Sequence, residues 1–435
     1  SGVVSVYEYL ENRFDASSRL LISFVFQISR SVATGVMVYT MALILQATIG
    51  IDFWISILII GVITLIYSFQ GGMKAVIWGD VIQMIILFLG IIICLSYGIS
   101  ELGGFENFLT QVDQDRLTAV DFNKWGFDNA DGNDEFGFWP MVVGGFFLYA
   151  SYYGTDQTQS QRLLSAKGMP TIKKLLMANG LLRFPLTLTY CIMGLVLGTL
   201  LIQDVGFQEL MESTYQANIE SLQGKKADLM VPVFIINFLP NGIIGILIVA
   251  IMSAAMSTLS STVNSLSAVT MEDFVKRFKP KMSDKQYVMN SRLISLFWGL
   301  VCLGLAFFAG NIKGTVIEVI NKISSVFYGP ILAAFVLAIL TKKTHALGAN
   351  IGIVVGVMFN MYLWLYVPEI FWFWWNAIGC LVTMLVAMAV SLIFKRKANE
   401  GLEVIYYLGR KEVFILTGFF ILIVALSIIM PNFFS

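Results

Sequence analysis

Charge is what this sequence has least of. Asp, Glu, Lys and Arg together make 13% of the 435 residues, against 57% hydrophobic ones. A domain whose surface faces water runs near 25% charged, so a soluble globular fold is excluded. The single histidine, His345, sits in the basic loop Thr341–His345, which excludes a histidine metal site or proton relay among the apolar segments. A membrane enzyme would need a cluster of His, Asp or Glu there, and is excluded with it. The four cysteines, Cys94, Cys191, Cys302 and Cys380, stand singly in apolar stretches. They have neither metal-ligand spacing nor the pairing of a disulfide framework and are expected to be buried structural thiols. Formal net charge is zero, and no nucleic acid partner is expected.

What the sequence has in abundance is apolar runs of about 18–25 residues, the length a helix needs to cross about 30 Å of hydrocarbon. Helix is the expected state because each backbone polar group is then satisfied within its own segment. Eleven spans are predicted, near 18–48, 53–70, 75–99, 138–163, 172–202, 232–268, 290–309, 314–340, 346–366, 369–394 and 413–430. Two intervening loops, Glu101–Glu135 and Gln203–Lys226, are long and acidic. No low-complexity linker divides the chain, so residues 1–435 are taken as one transmembrane domain with the lipid bilayer as its surroundings.

Orientation follows from the basic residues, which collect in cytoplasmic loops. Of the 28 Lys and Arg, 20 fall in one set of alternate loops: 7–19, Lys74, 162–174, 272–292, 341–345 and 395–411. The opposite set holds only Arg116, Lys124, Lys225, Lys226 and Lys313. The first set is expected in the cytoplasm and the acidic loops outside, in a plasma membrane, with a bacterial inner membrane the reading preferred. The chain opens at Ser1 without methionine or signal peptide, and Tyr7–Arg19 is polar, as in a loop between two spans.

An ionisable group within a span costs a few kcal/mol unless it faces a cavity or a partner. Five are singled out: Asp80, Arg30, Arg183, Glu318 and Lys322. Asp80 lies a turn or two inside the third span, beside Trp78, as either a functional carboxylate or a solvated interfacial one. In the sixth span Ala254, Ser257, Thr258 and Ser261 recur at i, i+3, i+4 and i+7, with Ser260 beside them, on one helical face. Such a face is either a seam where another helix approaches closely or a row of oxygens for a hard cation. Glu318 stands one turn from Lys322 and could neutralise it.

The stretch Ser68-Phe-Gln-Gly-Gly-Met-Lys-Ala-Val-Ile-Trp-Gly-Asp-Val-Ile-Gln83 resembles a signature of the sodium/solute symporter family, which includes sodium–glucose, sodium–proline, sodium–monocarboxylate, iodide and sialic acid symporters. Three further blocks resemble it in the same order. They are Glu8-Tyr-Leu-Glu-Asn-Arg-Phe14, Gly154-Thr-Asp-Gln-Thr-Gln-Ser-Gln-Arg-Leu-Leu-Ser-Ala-Lys167, and Ala255–Ser265 with Met271-Glu-Asp-Phe274 behind it.

The resemblance implies an all-α, leucine-transporter-like bundle, a five-plus-five inverted repeat with peripheral helices. Spans one to eight (about 18–340) then match core helices three to ten, and the last three (about 346–430) are peripheral. Core helices one and two are expected to be absent from this chain, which is not expected to transport alone.

Residue by residue, the resemblance implies a sodium site at the carbonyl of Ala254 and the hydroxyls of Ser257 and Thr258. It implies a second at Asp80, Ser260 and Ser261, with Ser257 contributing. One or two Na+ ions are thus the expected coupling ions, with no other cofactor. For the solute it points to Tyr152, with Tyr153 beside it, and to Arg183 where the sugar branch has lysine. It also points to Lys322 or Asn321 where that branch has glutamine, and to Arg30 one turn from an arginine of the sialic acid branch. Two cations where the sugar branch has one favour an anionic solute, and the expected solute is a sugar, sugar acid or other small organic anion. The expected activity is sodium-coupled import of a small polar solute by alternating access. A solute sensor, or a carrier not coupled to sodium, on the same bundle is the alternative.

Overall fold

The computed structural model describes residues 5–70, 73–118, 120–129, 134–164, 166, 168–222, 225–310, 312, 314–394 and 409–434, and the side chains of 67–77 and 432–434 are outside this description. Gly71 and Gly72, with Lys167, Lys313 and most of the basic loop 395–411, therefore lie outside the described residues, as does the side chain of Lys74.

Eleven helices organise the described residues: α1 Ala16–Ile49, α2 Phe53–Gln70, α3 Met73–Glu101, α4 Gly145–Gly154, α5 Met169–Gln203, α6 Asn241–Val269, α7 Asp284–Ala309, α8 Val316–Leu340, α9 Ala346–Tyr366, α10 Phe373–Ile393 and α11 Arg410–Phe434. Nine helical stretches among the described residues are long and apolar enough to cross a membrane.

The helix ends follow local chemistry. Asp15 caps α1 by accepting from the Ser18 amide at 3.0 Å, and Gly50 ends it at a φ of 72°, where a side chain would strain the backbone. Ser283 with Gln286 and Thr315 with Glu318 form reciprocal capping boxes that start α7 and α8. His345 Nδ1 accepts from the Gly348 amide and starts α9.

Two predicted spans are broken. The stretch 138–163 is a wide turn at Pro140–Gly144, then α4, then a break at Thr155–Asp156 before a short helix, Gln157–Leu164. Asp156 causes the restart by capping that helix: its Oδ1 accepts the Thr158 amide at 2.9 Å and the Gln159 amide at 3.3 Å. The stretch 232–268 begins as a separate helix, Met230–Phe238, because Pro240 cannot continue it. The acidic loops are partly helical, at Phe105–Gln111 and Val205–Ala217, and Tyr7–Arg19 contains the helix Glu8–Arg13. Cys94, Cys302 and Cys380 are buried, but Cys191 is exposed on α5, against the expectation from its apolar setting.

α8 sits deep in the bundle and contains Pro330. Proline has no N–H, so the Val326 carbonyl four residues back loses its helical donor. Asn360 of α9, fully buried, supplies one: its Nδ2 donates to Val326 O at 3.0 Å and to Ser325 O at 3.2 Å. α9 then packs on α10 through Gly348, Gly352 and Gly356. A Cβ at Gly352 would lie 2.6 Å from the Thr383 carbonyl, so only glycine allows this approach.

On the side of the bundle where α1 begins, a fully buried Asp273 anchors the wide turn Thr270–Val275 that follows α6. It accepts from Arg19 at 2.5 and 2.8 Å, from Ser5 at 3.1 Å, and from Ser23. Glu11 joins the knot through Arg19 at 2.8 Å and Arg277 at 2.7 Å.

Asn360→Leu keeps the branching of the side chain and removes the donor to the Val326 carbonyl, an unmet buried group costing about 1–3 kcal/mol. The variant should melt several degrees below wild type in detergent, followed by intrinsic fluorescence. An unchanged midpoint would show that water or a shifted backbone satisfies this carbonyl.

Candidate functional site

The Ala254–Ser261 face of α6 meets α3 and the Gln157–Leu164 helix, three elements far apart in sequence. Ser257 is buried, and its Oγ donates to Asp80 Oδ1. The other carboxylate oxygen, Oδ2, lies 3.5 Å from Arg162 Nη2, and that same nitrogen donates to Ser261 Oγ at 3.1 Å. Thr258 Oγ1 donates to the Ala254 carbonyl at 2.9 Å, the back-bond available to a threonine in a helix. Ala254, Thr258, Asp80, Gln83, Arg162 and Tyr190 line a cavity of about 380 Å³. Ser260 is fully buried, and its Oγ has no hydrogen-bond partner among the described residues.

The structure thus brings Asp80, Ser257 and Ser261 together, with Ala254 and Thr258 on the wall of the same cavity. One carboxylate surrounded by hydroxyls and a carbonyl is a donor set of hard oxygens, suited to a hard cation. No cluster of three or more His, Cys, Asp or Glu that could hold a metal is found among the described residues. The charge beside Asp80 is Arg162, a residue within the Gly154–Lys167 block to which the sequence reading gave no role. The Asp80–Arg162 contact is long and both side chains are about a third or more exposed. Such a pair contributes about 0–1 kcal/mol, which a small cation can replace.

The solute candidates divide into groups. Arg183 of α5 donates to Tyr153 Oη at 2.7 Å and Tyr149 Oη at 3.2 Å, and lies 4.7 Å above the Tyr149 ring. Tyr153 Oη donates on to Asn179 at 3.0 Å. Tyr152 meets Tyr153 edge to face at 5.1 Å and takes a hydrogen bond from Gln159 at 2.5 Å. Arg30 lies behind Tyr152, 5.4 Å from its ring, and is held by Asp156 at 2.5 and 2.7 Å and by Tyr328 Oη at 2.9 Å. Its charge is met by a carboxylate.

Asn321 and Lys322 stand apart on α8 and share no hydrogen bond or ion pair with these groups among the described residues. Asn321 Nδ2 returns to the Ile317 carbonyl at 2.8 Å. Glu318 forms no ion pair with Lys322 among the described residues, although both side chains approach Gly314. Its Oε2 accepts the Thr315 amide at 3.0 Å in the capping box. Two functional candidates were missed, Arg162 and Asp156. Asp156 lies in the predicted span 138–163 and carries the same signal as the five groups named there: an ionisable residue at membrane depth.

A model of the sodium:solute symporter family matches residues 1–356. The chain belongs to that family. The rabbit (Oryctolagus cuniculus) sodium-dependent multivitamin transporter is 32% identical over 366 residues, covering 83% of this chain and 54% of the relative. The human (Homo sapiens) sodium/iodide cotransporter is 29% identical, with 83% and 54% covered. The human sodium-coupled monocarboxylate transporter 2 is 30% identical, with 83% and 56% covered. The chain therefore spans about half the length of the curated relatives it matches.

A solved structure of a sodium-coupled sialic acid symporter, substrate-bound and outward-open, superposes with a TM-score of 0.74 at 25% identity, covering 92% of this chain and 78% of that one. The helices of this symporter-family chain thus adopt the leucine-transporter-like arrangement that the sequence blocks imply.

Sodium binding can be read without knowing the solute, as the rise in melting temperature in NaCl over KCl at equal ionic strength. In the full-length protein Asp80→Asn should reduce that difference, leaving the part due to the Ala254–Ser257–Thr258 site, and Arg162→Gln should keep it and move it to lower sodium. If Asp80→Asn retains the wild-type difference, the carboxylate is not a sodium ligand.

Proposed function

We propose that this chain carries most of the transport bundle of a symporter that moves a small polar solute into the cell with one or two sodium ions. The observation that carries the reading is the meeting of Asp80, Ser257 and Ser261 around the guanidinium of Arg162. In this reading one ion is held by the Ala254 carbonyl, Ser257 and Thr258. A second is held by Asp80, Ser257, Ser260 and Ser261, displacing Arg162 from the carboxylate. Ion binding favours the outward-open form, the solute completes it, and the bundle then reorients. The membrane potential contributes about 2.3 kcal/mol per charge per 100 mV.

The proposed solute class is a sugar acid or another small organic anion, with a neutral sugar less favoured. Arg183 supports this, because its partners are neutral phenols and its charge remains for a carboxylate. Tyr152 and Tyr153 would give the pocket its aromatic walls. Iodide and monocarboxylates, in the names of two relatives, are likewise anions. Loops 7–19, 162–174, 272–292, 341–345 and 395–411 would face the cytoplasm of a plasma membrane.

The test is uptake by the full-length protein in proteoliposomes. Hexoses, inositol, sialic acid, gluconate, proline and short monocarboxylates would be compared with and without an inward sodium gradient. One solute should accumulate only with sodium. Ser257→Ala should raise the sodium concentration for half-maximal uptake about tenfold, the scale of one lost hydrogen-bonding oxygen. Arg183→Gln should raise the KM of an anionic solute and leave the sodium dependence alone. Uptake indifferent to sodium would move the assignment to a differently coupled carrier, and solute binding without uptake to a sensor.

A further inference from the structure

Residues 276–292, which join the turn after α6 to the first turns of α7, hold six cations and one acid. Two of the cations are already paired, Lys276 with Glu272 at 2.8 Å and Arg277 with Glu11 at 2.7 Å. The other four, Lys279, Lys281, Lys285 and Arg292, are exposed and form no ion pair among the described residues. Between the paired and unpaired cations stands Phe278, 80% exposed.

The register of α7 says what lies beside this charge. Lys285, Val288, Met289, Arg292, Leu293, Leu296, Phe297 and Leu300 recur at three- and four-residue steps, on one face of the helix. The apolar members from Val288 to Leu300 are between 37% and 58% exposed. An apolar helix face left open in a membrane bundle meets acyl chains. From Lys285 to Leu300 the axis rises about 22 Å. The face therefore begins at Lys285, carries Arg292 two turns on beyond Val288 and Met289, and continues as an apolar stripe from Leu293 to Leu300. Lys285 stands in the first turn of α7, close in sequence to Lys279 and Lys281, and Arg292 stands about 10 Å further along the axis, with a side chain long enough to extend back toward them. Phe278 is placed to enter the interface, where aromatic rings settle.

We propose that this surface binds anionic phospholipid headgroups. The phosphate meets Lys279, Lys281, Lys285 and Arg292, and the acyl chains run down the Leu293–Leu300 face. The site depends on neither the sodium nor the solute assignment. Its partner is fixed by charge complementarity and by the apolar stripe that continues it, which a soluble phosphate or an acidic peptide would leave uncovered. A juxtamembrane cluster of four or more cations acts in this way through summed attraction to an anionic surface.

The test uses full-length protein in phosphatidylcholine bilayers carrying trace spin-labelled phosphatidylglycerol or spin-labelled phosphatidylcholine. The readout is the fraction of each label immobilised at the protein. Wild type should prefer phosphatidylglycerol roughly threefold to tenfold, the scale of a few partly screened cations. The preference should shrink between 0.05 and 0.5 M NaCl, about as the Debye length shortens.

The variant K279Q/K281Q/K285Q/R292Q should lose the preference, and K342Q/K343Q, at another basic loop, should keep it. If the fourfold variant fails to fold, K279Q/K281Q and K285Q/R292Q separately should each lose a substantial part. Equal labelling by both lipids in wild type, or an unchanged preference in the loop variants, would overturn the proposal.

Discussion

An ionised side chain among apolar helices is costly unless it meets a counter-charge, a polar partner or a cavity, because the hydrocarbon beside it offers none. Three such pairings define the bundle. Arg30 and Asp156 join α1 to the break after α4, Asp80 and Arg162 join α3 to the short helix beyond that break, and Arg19 and Asp273 join the start of α1 to the turn after α6. Each ties together segments separated by at least about eighty residues in sequence, and the two buried pairs hold helix positions that apolar packing alone would leave free to slide.

The three differ in how firmly they are closed. Asp273 is fully buried and takes hydrogen bonds from an arginine and two serines, and Asp156 is almost as buried and doubly held by Arg30. Removing one partner from such a pair leaves a buried charge unmatched, at a cost of about 3–5 kcal/mol. Asp80 and Arg162 touch at 3.5 Å with both side chains partly exposed to a cavity. The firm pairs act as joints, whereas the loose one can exchange its cation. This contrast separates the proposed ion site from the structural ion pairs around it.

Much of this was legible in the sequence because hydrophobicity and ionisable exceptions are one-dimensional signals. The spans at 18–48, 314–340 and 346–366 agree with α1, α8 and α9 to within about two residues, and the spacing of Ala254, Ser257, Thr258 and Ser261 placed them on one face. The break at Thr155–Asp156 was not legible, since an apolar run and a short polar helix average to one long span in hydropathy. The partners of charged groups were not legible either. Glu318 lies at the i−4 spacing from Lys322, yet among the described residues its carboxylate is hydrogen-bonded in the capping box at Thr315 and forms no ion pair with the lysine. Local hydrogen bonding at the helix start prevailed over the side-chain pair that sequence spacing suggests.

The pairing pattern also bears on how the proposed cycle would draw on the membrane potential. Arg30 is cancelled by Asp156, while Arg183 faces only phenols and Lys322 forms no ion pair among the described residues. A solute carboxylate held at such a cation travels with its own negative charge. One sodium ion with a monoanion then moves no net charge, so the potential contributes nothing and the concentration gradient does all the work. A second ion at Asp80, Ser257, Ser260 and Ser261 makes the complex singly positive and restores about 2.3 kcal/mol per 100 mV. An anionic solute and a second sodium site are thus linked physically: the carboxylate of Asp80, loosely held by Arg162, is what would let a carrier of anions use the membrane potential.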